Sequence, residues 1–320
     1  RALRQEIGPF ATGEPLRCHS PGRADHSRRT KRVSRDLVRT NVSNLGAVPE
    51  EIILALMAAL TVGLGTLGGL GGAVLLVPAL VVLGWSPSEA APLGLVSVAA
   101  GSLAAGSRQL SEGTVNHRLG VTTESVATTG AIVGALVSSS IPDDGLVYLL
   151  AGTALTAAFA GVRRKGLRNL PDDSLGPADV GERIGSLSGA YPLGTAIVPY
   201  SADRLPWGLT MMGIAGFVAG TTGASGGFIK TPATSEIMHI PTKVAAATTT
   251  FTIGITASAA LIVFALQGRL SAQAASAIVL GSLAGGVIGA AAQSALQPAL
   301  VRRALSATLV VIAVVLVVTR

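Results

Sequence analysis

Long apolar runs alternate with short polar breaks along most of the chain, and the runs are the length of membrane spans. From Ile52 to Leu83 there are 32 residues without a charge. As one straight helix they would reach about 48 Å at 1.5 Å per residue, against a hydrocarbon core of about 30 Å. Further spans are predicted near Ala90–Leu110, Leu119–Ser140 and Gly145–Val162, then Pro206–Ile237, Val244–Leu266, Ala274–Ala295 and Val301–Thr319. Polar turns separate them, such as Pro142-Asp143-Asp144, where Pro and Asp are helix stop and start signals. The pattern predicts an all-α, polytopic transmembrane helical bundle.

The pattern also repeats. GLGTLGGLGGAVLLVP at Gly63–Pro78 returns as TTGASGGFIKTP at Thr221–Pro232. A shift of 154 carries Gly69 to Gly223, Gly72 to Gly226, Pro78 to Pro232 and Pro87 to Pro241, and a shift of 155 carries Gly113 to Gly268, Gly130 to Gly285 and Gly134 to Gly289. One inserted residue separates two registers of a single duplication, the feature to seek first in any chain. The halves are 49–165 and 206–320, each with four spans, of which the first is too long and is broken by glycines. Backbone unwound at membrane depth is tolerated only where protein buries it or it lines a watery cavity. The two glycine stretches therefore mark a site. If each broken segment crosses straight, the repeats are parallel; if it turns back, they are inverted, as in many secondary transporters.

Composition narrows the class. Hydrophobic residues make up 49% of the chain, charged ones 13% and aromatic ones 3%, with 40 glycines, which suits helices that pack through small side chains. The net charge of +7 is concentrated in residues 1–48, where ten Lys/Arg face four Asp/Glu. The rest is nearly neutral, so the charge describes a basic, disordered cytoplasmic tail on a membrane body and no groove for nucleic acid. Residues 166–205 form a cytoplasmic connector. Basic residues in the Arg108–Arg118 turn, the Arg163–Arg168 flank and Arg269 set both termini inside by the positive-inside rule, while Arg302, Arg303 and Lys243 fall on the other side of that scheme. Cys18 is the single cysteine, and His19, His26, His117 and His239 are scattered. No cofactor and no metal cluster follows from such spacing.

Candidate chemistry gathers at the glycine stretches. Gly63-Leu-Gly65-Thr-Leu-Gly68 matches a dinucleotide motif in letters only, since strand, soluble helix and distal acid are all missing. Lys230 lies in the second broken stretch; an intramembrane cation is costly and marks a function, here as an anion ligand beside exposed N–H groups. Its bland alternative is snorkelling to the interface. Around it, Gly69, Gly71, Gly72, Gly223, Gly226 and Gly227 offer backbone, and Ser225, Thr221, Thr222, Thr248, Thr249 and Thr250 offer hydroxyls. Ser97 is a weaker candidate, and Arg108 and Gln109 sit at a mouth. Glu124 either carries a coupling proton or complements a helix N-terminus. Gly223-Ala-Ser225-Gly226 also matches the GxSG motif of intramembrane serine proteases, but a serine nucleophile needs a base, and His239 is the one histidine after it.

Taken in duplicate and in fixed order, the glycine segments, the following Pro and Ala-rich helices (EAAPLGLVS and TKVAAATTTF) and the GAIVGA and GGVIGA helices resemble the TauE/SafE family of sulfite exporters. The resemblance covers residues 52–320, with Ala73 standing where a third glycine is frequent. It implies an inner-membrane, multi-pass permease that exports sulfite or an organosulfonate along an ion gradient, with uptake of another organic anion as the alternative. The implied partners are a small anion and the lipid bilayer; a homo-oligomer is compatible with this reading and not fixed by it.

Overall fold

The computed structural model describes residues 49–68, 72–111, 113–162, 169–292 and 298–318. The tail 1–48, Gly69, Gly71 and the Arg163–Arg168 flank lie outside the described residues. The helices are α1 (Glu50–Gly68), α2 (Ala73–Val82), α3 (Pro87–Ser111), α4 (His117–Ser138), α5 (Asp143–Val162), α6 (Leu205–Thr222), α7 (Gly227–Pro232), α8 (Thr242–Leu266), α9 (Ala272–Ala292) and α10 (Pro298–Val318). A π-helical turn, Ala233–Ile237, carries α7 on toward α8. Among the described residues, α1, α3, α4, α8 and α9 are long and apolar enough to cross a membrane. Their starts follow the polar breaks. Asn116 caps α4 by accepting from the Leu119 N–H at 2.8 Å, and Asp143 and Asp144 occupy the first turn of α5, where carboxylates meet the positive end of the helix dipole.

The glycine-broken segments do not cross straight. A Cβ built on Gly72 would lie 2.4 Å from the Cα of Val62. Ten residues of continuous helix would instead separate those positions by about 15 Å. The second copy behaves alike: Gly226 stands against the Ala215 carbonyl, and Gly208 against the Met238 thioether. In both copies the chain reverses and the short helix runs back beside the long one. This departs from the expected four straight crossings per half, because glycines let two backbone segments approach where side chains would hold them apart.

The reversals change which loops share an end of the bundle. Arg269 donates from Nη2 to the Ser88 carbonyl and from Nη1 to Ser138 Oγ, each at 2.8 Å, and Gln273 Nε2 donates to Glu51. The starts of α1, α3 and α9 and the end of α4 thus meet at an Arg269 end. At the opposite, Tyr200 end, Asn116 Nδ2 donates to the Tyr200 hydroxyl at 3.2 Å, His117 meets Glu182 at 2.8 Å, and the Asp203 N–H donates to the Met238 carbonyl at 3.0 Å. α1 sets out from the Arg269 end and α6 from the Tyr200 end, so the two series of helices run in opposite senses.

Small residues knit the series together. α4 packs on α6 and α9 on α1. A Cβ on Gly130 would lie 2.3 Å from the Gly213 carbonyl, and one on Gly285 would lie 2.2 Å from the Ala59 carbonyl. Gly134 meets the Phe217 carbonyl, and Gly289 meets that of Gly63. Positions 130 and 134 map onto 285 and 289 by the shift of 155, and 59 and 63 onto 213 and 217 by that of 154, so one contact register occurs twice. Such close backbone approach is how helices associate where lipid removes the hydrophobic drive. α4 and α8 run parallel with a constant offset of 132: the Asn116 N–H donates to Thr248 Oγ1, the Thr256 N–H to Glu124 Oε1, and Gln267 Nε2 to the Ala135 carbonyl.

The connector adds β structure that the periodicity did not predict. β1 (Gly181–Glu182), β2 (Gly189–Leu193) and β3 (Ala196–Tyr200) form an antiparallel sheet in that order, with Tyr191 opposite Val198. Its inner residues pack on Leu119, Met238, Ile240 and Val244 at the Tyr200 end. Burial raises the Tyr200 phenol above its usual range, so it stays neutral while it accepts from Asn116.

Candidate functional site

The second reversal is held by its own small side chains. Gly223 ends α6 at φ 70°, a left-handed conformation, with its N–H on the Ala219 carbonyl. Any side chain there would also meet the Ala91 carbonyl of α3 at 2.1 Å. The Ala224 N–H donates to Thr222 Oγ1, and the Gly227 N–H to Ser225 Oγ, each at 3.2 Å. Buried backbone that leaves a helix must find partners, and here two hydroxyls supply them. Thr221 donates instead to the Phe217 and Val218 carbonyls of its own helix.

Both reversals open onto one cavity of about 60 Å³. With one water needing roughly 10–15 Å³ on that measure, it holds a group of a few heavy atoms. Val62, Gly65, Thr66 and Gly72 line it from the first copy; Ser225, Gly227 and Thr231 do so from the second. α3 contributes Ser97, Ser102 and Gln109, and α8 contributes Thr249, Thr250 and Ile253. The lining mixes these hydroxyls and one amide with apolar Val62, Val98, Ala105, Ala246 and Ile253, and it carries no charge. Ser97 and Ser102 give their protons to the Gly94 and Ala99 carbonyls, each at 2.9 Å, so neither has a proton left to donate into the cavity. Ser225 accepts from Gly227, so its own proton is free to donate. The buried Gln109 Oε1 has no hydrogen-bond partner among the described residues.

Lys230 lies elsewhere. Its side chain is 2% exposed, and Nζ donates to both Glu124 carboxylate oxygens at 3.0 Å and to Thr256 Oγ1 at 2.7 Å. Glu124 Oε1 also accepts from the Thr256 N–H at 3.0 Å and from the Thr256 hydroxyl. All three ammonium protons are engaged, and α4, α7 and α8 are joined at one point. The pair excludes snorkelling for Lys230 in this conformation. It equally changes the reading of Glu124, which faces a cation rather than the start of its own helix.

The residues expected at the site divide into three groups. Gly72, Ser225, Gly227 and Thr249 line the cavity. Gly226 packs on α6, Gly223 on α3, and Thr248 holds Asn116, so these build the scaffold around it. Gly69 and Gly71 lie outside the described residues. Thr250, expected beside Thr249, also lines the cavity, whereas Ser102, Thr66 and Thr231 escaped sequence reasoning, since hydroxyls are common in apolar helices and no spacing singles these out. His239 pairs with Asp203 at 3.1 Å at the Tyr200 end, and no histidine lines the cavity that Ser225 faces.

A family model described as sulfite exporter TauE/SafE matches residues 53–316. No curated protein and no solved structure matches the chain.

Proposed function

The chain belongs to the sulfite exporter TauE/SafE family, and from that premise we propose that it exports a small oxyanion, sulfite or an organosulfonate, across the cytoplasmic membrane. The observation that carries this is the cavity itself: both chain reversals meet there, and hydroxyls, one amide and backbone stand in it among apolar side chains without a fixed charge. Neutral donors replace an anion's hydration shell without holding it so tightly that it cannot leave, which conduction requires. The volume suits an anion of sulfite size.

The opposite senses of α1–α5 and α6–α10, and the contact register that occurs twice, support inverted repeats. In such a molecule local refolding of the two broken stretches exposes a central site to each side in turn. The distribution of basic residues supports an orientation. Arg118, Arg183, Arg204, Lys243 and Arg303 belong to the Tyr200 end, whereas Arg269 stands with Glu51, Glu89 and Asp143 at the other. The Tyr200 end with the connector is cytoplasmic under the positive-inside rule, and residues 50 and 318 face outward. This reverses the termini relative to the straight-crossing count, and it brings Lys243, Arg302 and Arg303 onto the basic side.

Purified protein in proteoliposomes, loaded with radiolabelled sulfite and challenged with sulfonates, thiosulfate or carboxylates, tests the reading. Efflux above that of empty liposomes with competition by one of these classes is expected; no anion flux overturns it. The serine-protease reading lacks a base at Ser225, and Ser225→Ala separates the two, as an enzyme would lose all turnover and a permease keeps partial flux.

A further inference from the structure

Lys230 and Glu124 stand one helical turn from the cavity without lining it. On α7, Gly227 and Thr231 line the cavity, and position 230 stands on the side of the first, three residues on, and next to the second along the chain. On α8, Thr249 and Ile253 line it, and Thr256 lies on the same face, about 5 Å further along. The ammonium is therefore tethered beside the cavity by a flexible four-carbon stem. In the register of the duplication, 230 corresponds to Leu76 and 124 to Val279, and both of these belong to one apolar cluster. The ion pair occupies one of two matching places, and hydrocarbon fills the other.

We propose that Glu124 is a proton-binding site of the transport cycle, exchanging its hold on Lys230 for a proton when the ammonium takes up the anion. This rests on the transport reading. At rest the pair is neutral and all three N–H groups of Lys230 are bonded. When an oxyanion enters the cavity, Nζ turns to it. The carboxylate left behind, with Thr256 as its remaining partner, binds one proton from water and forms an O–H bond. No other bond is made or broken. With a monoanion, a sulfonate or hydrogen sulfite, the core then holds ammonium, anion and a neutral acid, so its net charge is unchanged. Isolated buried ions are costly, and that cost makes anion capture and proton capture conditional on each other. Few other charged groups face Glu124: α6 carries none, α8 carries Lys243 in its first turn, the π turn carries Glu236, and α4 carries His117 and Arg118 at its start.

The double variant Glu124→Val/Lys230→Leu copies the apolar counterpart and leaves no unpaired charge. Wild type and variant are reconstituted in vesicles with radiolabelled sulfite under an imposed pH gradient. Protons carried by sulfite itself contribute equally to both proteins. One further coupled proton adds about tenfold accumulation per pH unit, so the variant should accumulate about tenfold less per unit than wild type. Equal accumulation overturns the proposal, while a wild type without sulfite flux overturns the transport reading instead. Should the double variant not fold or not conduct, Thr256→Val decides. It removes one donor that favours the carboxylate, so the proton-dependent limb of the flux–pH profile should move to higher pH, and an unmoved limb overturns the proposal.

Discussion

Gly216→Ala tests whether carbonyl-to-glycine contact sets the spacing of α4 and α6. The added Cβ would lie 1.9 Å from the Ala127 carbonyl oxygen and 2.7 Å from its carbon. Carbon and oxygen come no closer than about 3.3 Å in ordinary packing, so the helices must part locally by about 1.4 Å. The obstacle is backbone on both sides, and no rotamer relieves it. Parting also loosens Gly220 against Ala131, and Gly130 and Gly134 against α6, which share the seam. Overpacking of this kind costs about 1–3 kcal/mol. Gly152→Ala is the control: its Cβ meets nothing within 4 Å, and Ala gains about 0.8–1 kcal/mol over Gly in a helix. Thermal unfolding in one detergent should lower the midpoint for the first variant and raise it for the second. Gly130→Ala and Gly285→Ala, equivalent by the duplication, should destabilise to a similar degree. A Gly216→Ala midpoint at or above wild type would refute the reasoning.

Three other predictions follow from the same geometry. Lys230→Leu alone leaves Glu124 buried without its cation and should cost about 3–5 kcal/mol, most of it recovered in the double variant with Glu124→Val; unfolding midpoints of the three proteins check this. Ser225→Ala removes a donor to a charged ligand worth about 1.5–3 kcal/mol, so half-saturating sulfite should rise about tenfold or more in flux assays. In a Cys18→Ser background, cysteine at Ser186 should react with a membrane-impermeant thiol reagent only from the cytoplasmic side and cysteine at Ser140 only from outside; the reverse would invert the orientation.

The duplication, the broken segments and the helix ends are legible in sequence because each is local: glycines, prolines and capping residues recur at fixed spacing. The reversal is not. Gly72 and Gly226 serve a kink and a hairpin equally well, and only the neighbour across the turn, Val62 or Ala215, distinguishes them. That ambiguity carried the span count with it. Lys243, Arg302 and Arg303, which broke the straight-crossing scheme, are the basic residues that the proposed orientation accommodates. The Lys230–Glu124 pair was invisible for a different reason. Its members are 106 positions apart, and Glu124 lies close enough to the start of α4 to be explained by the helix dipole alone. The connector sheet escaped because residues 181–200 are rich in Gly, Pro and Ser, and their strands are short.

The constant offset between α4 and α8 makes a ladder. Its rungs are Asn116 with Thr248, Glu124 with Thr256 and Ala135 with Gln267, and they are fixed at the foot, the middle and the head. A ladder resists shear, since sliding one rail by a single residue would unseat every rung together. Of its rungs only the middle one holds an ionisable group, and it alone is also tied to the short arm of the second hairpin. On the proposed cycle, release at that rung would let the hairpin arm swing while both rails stay in step as a stationary frame.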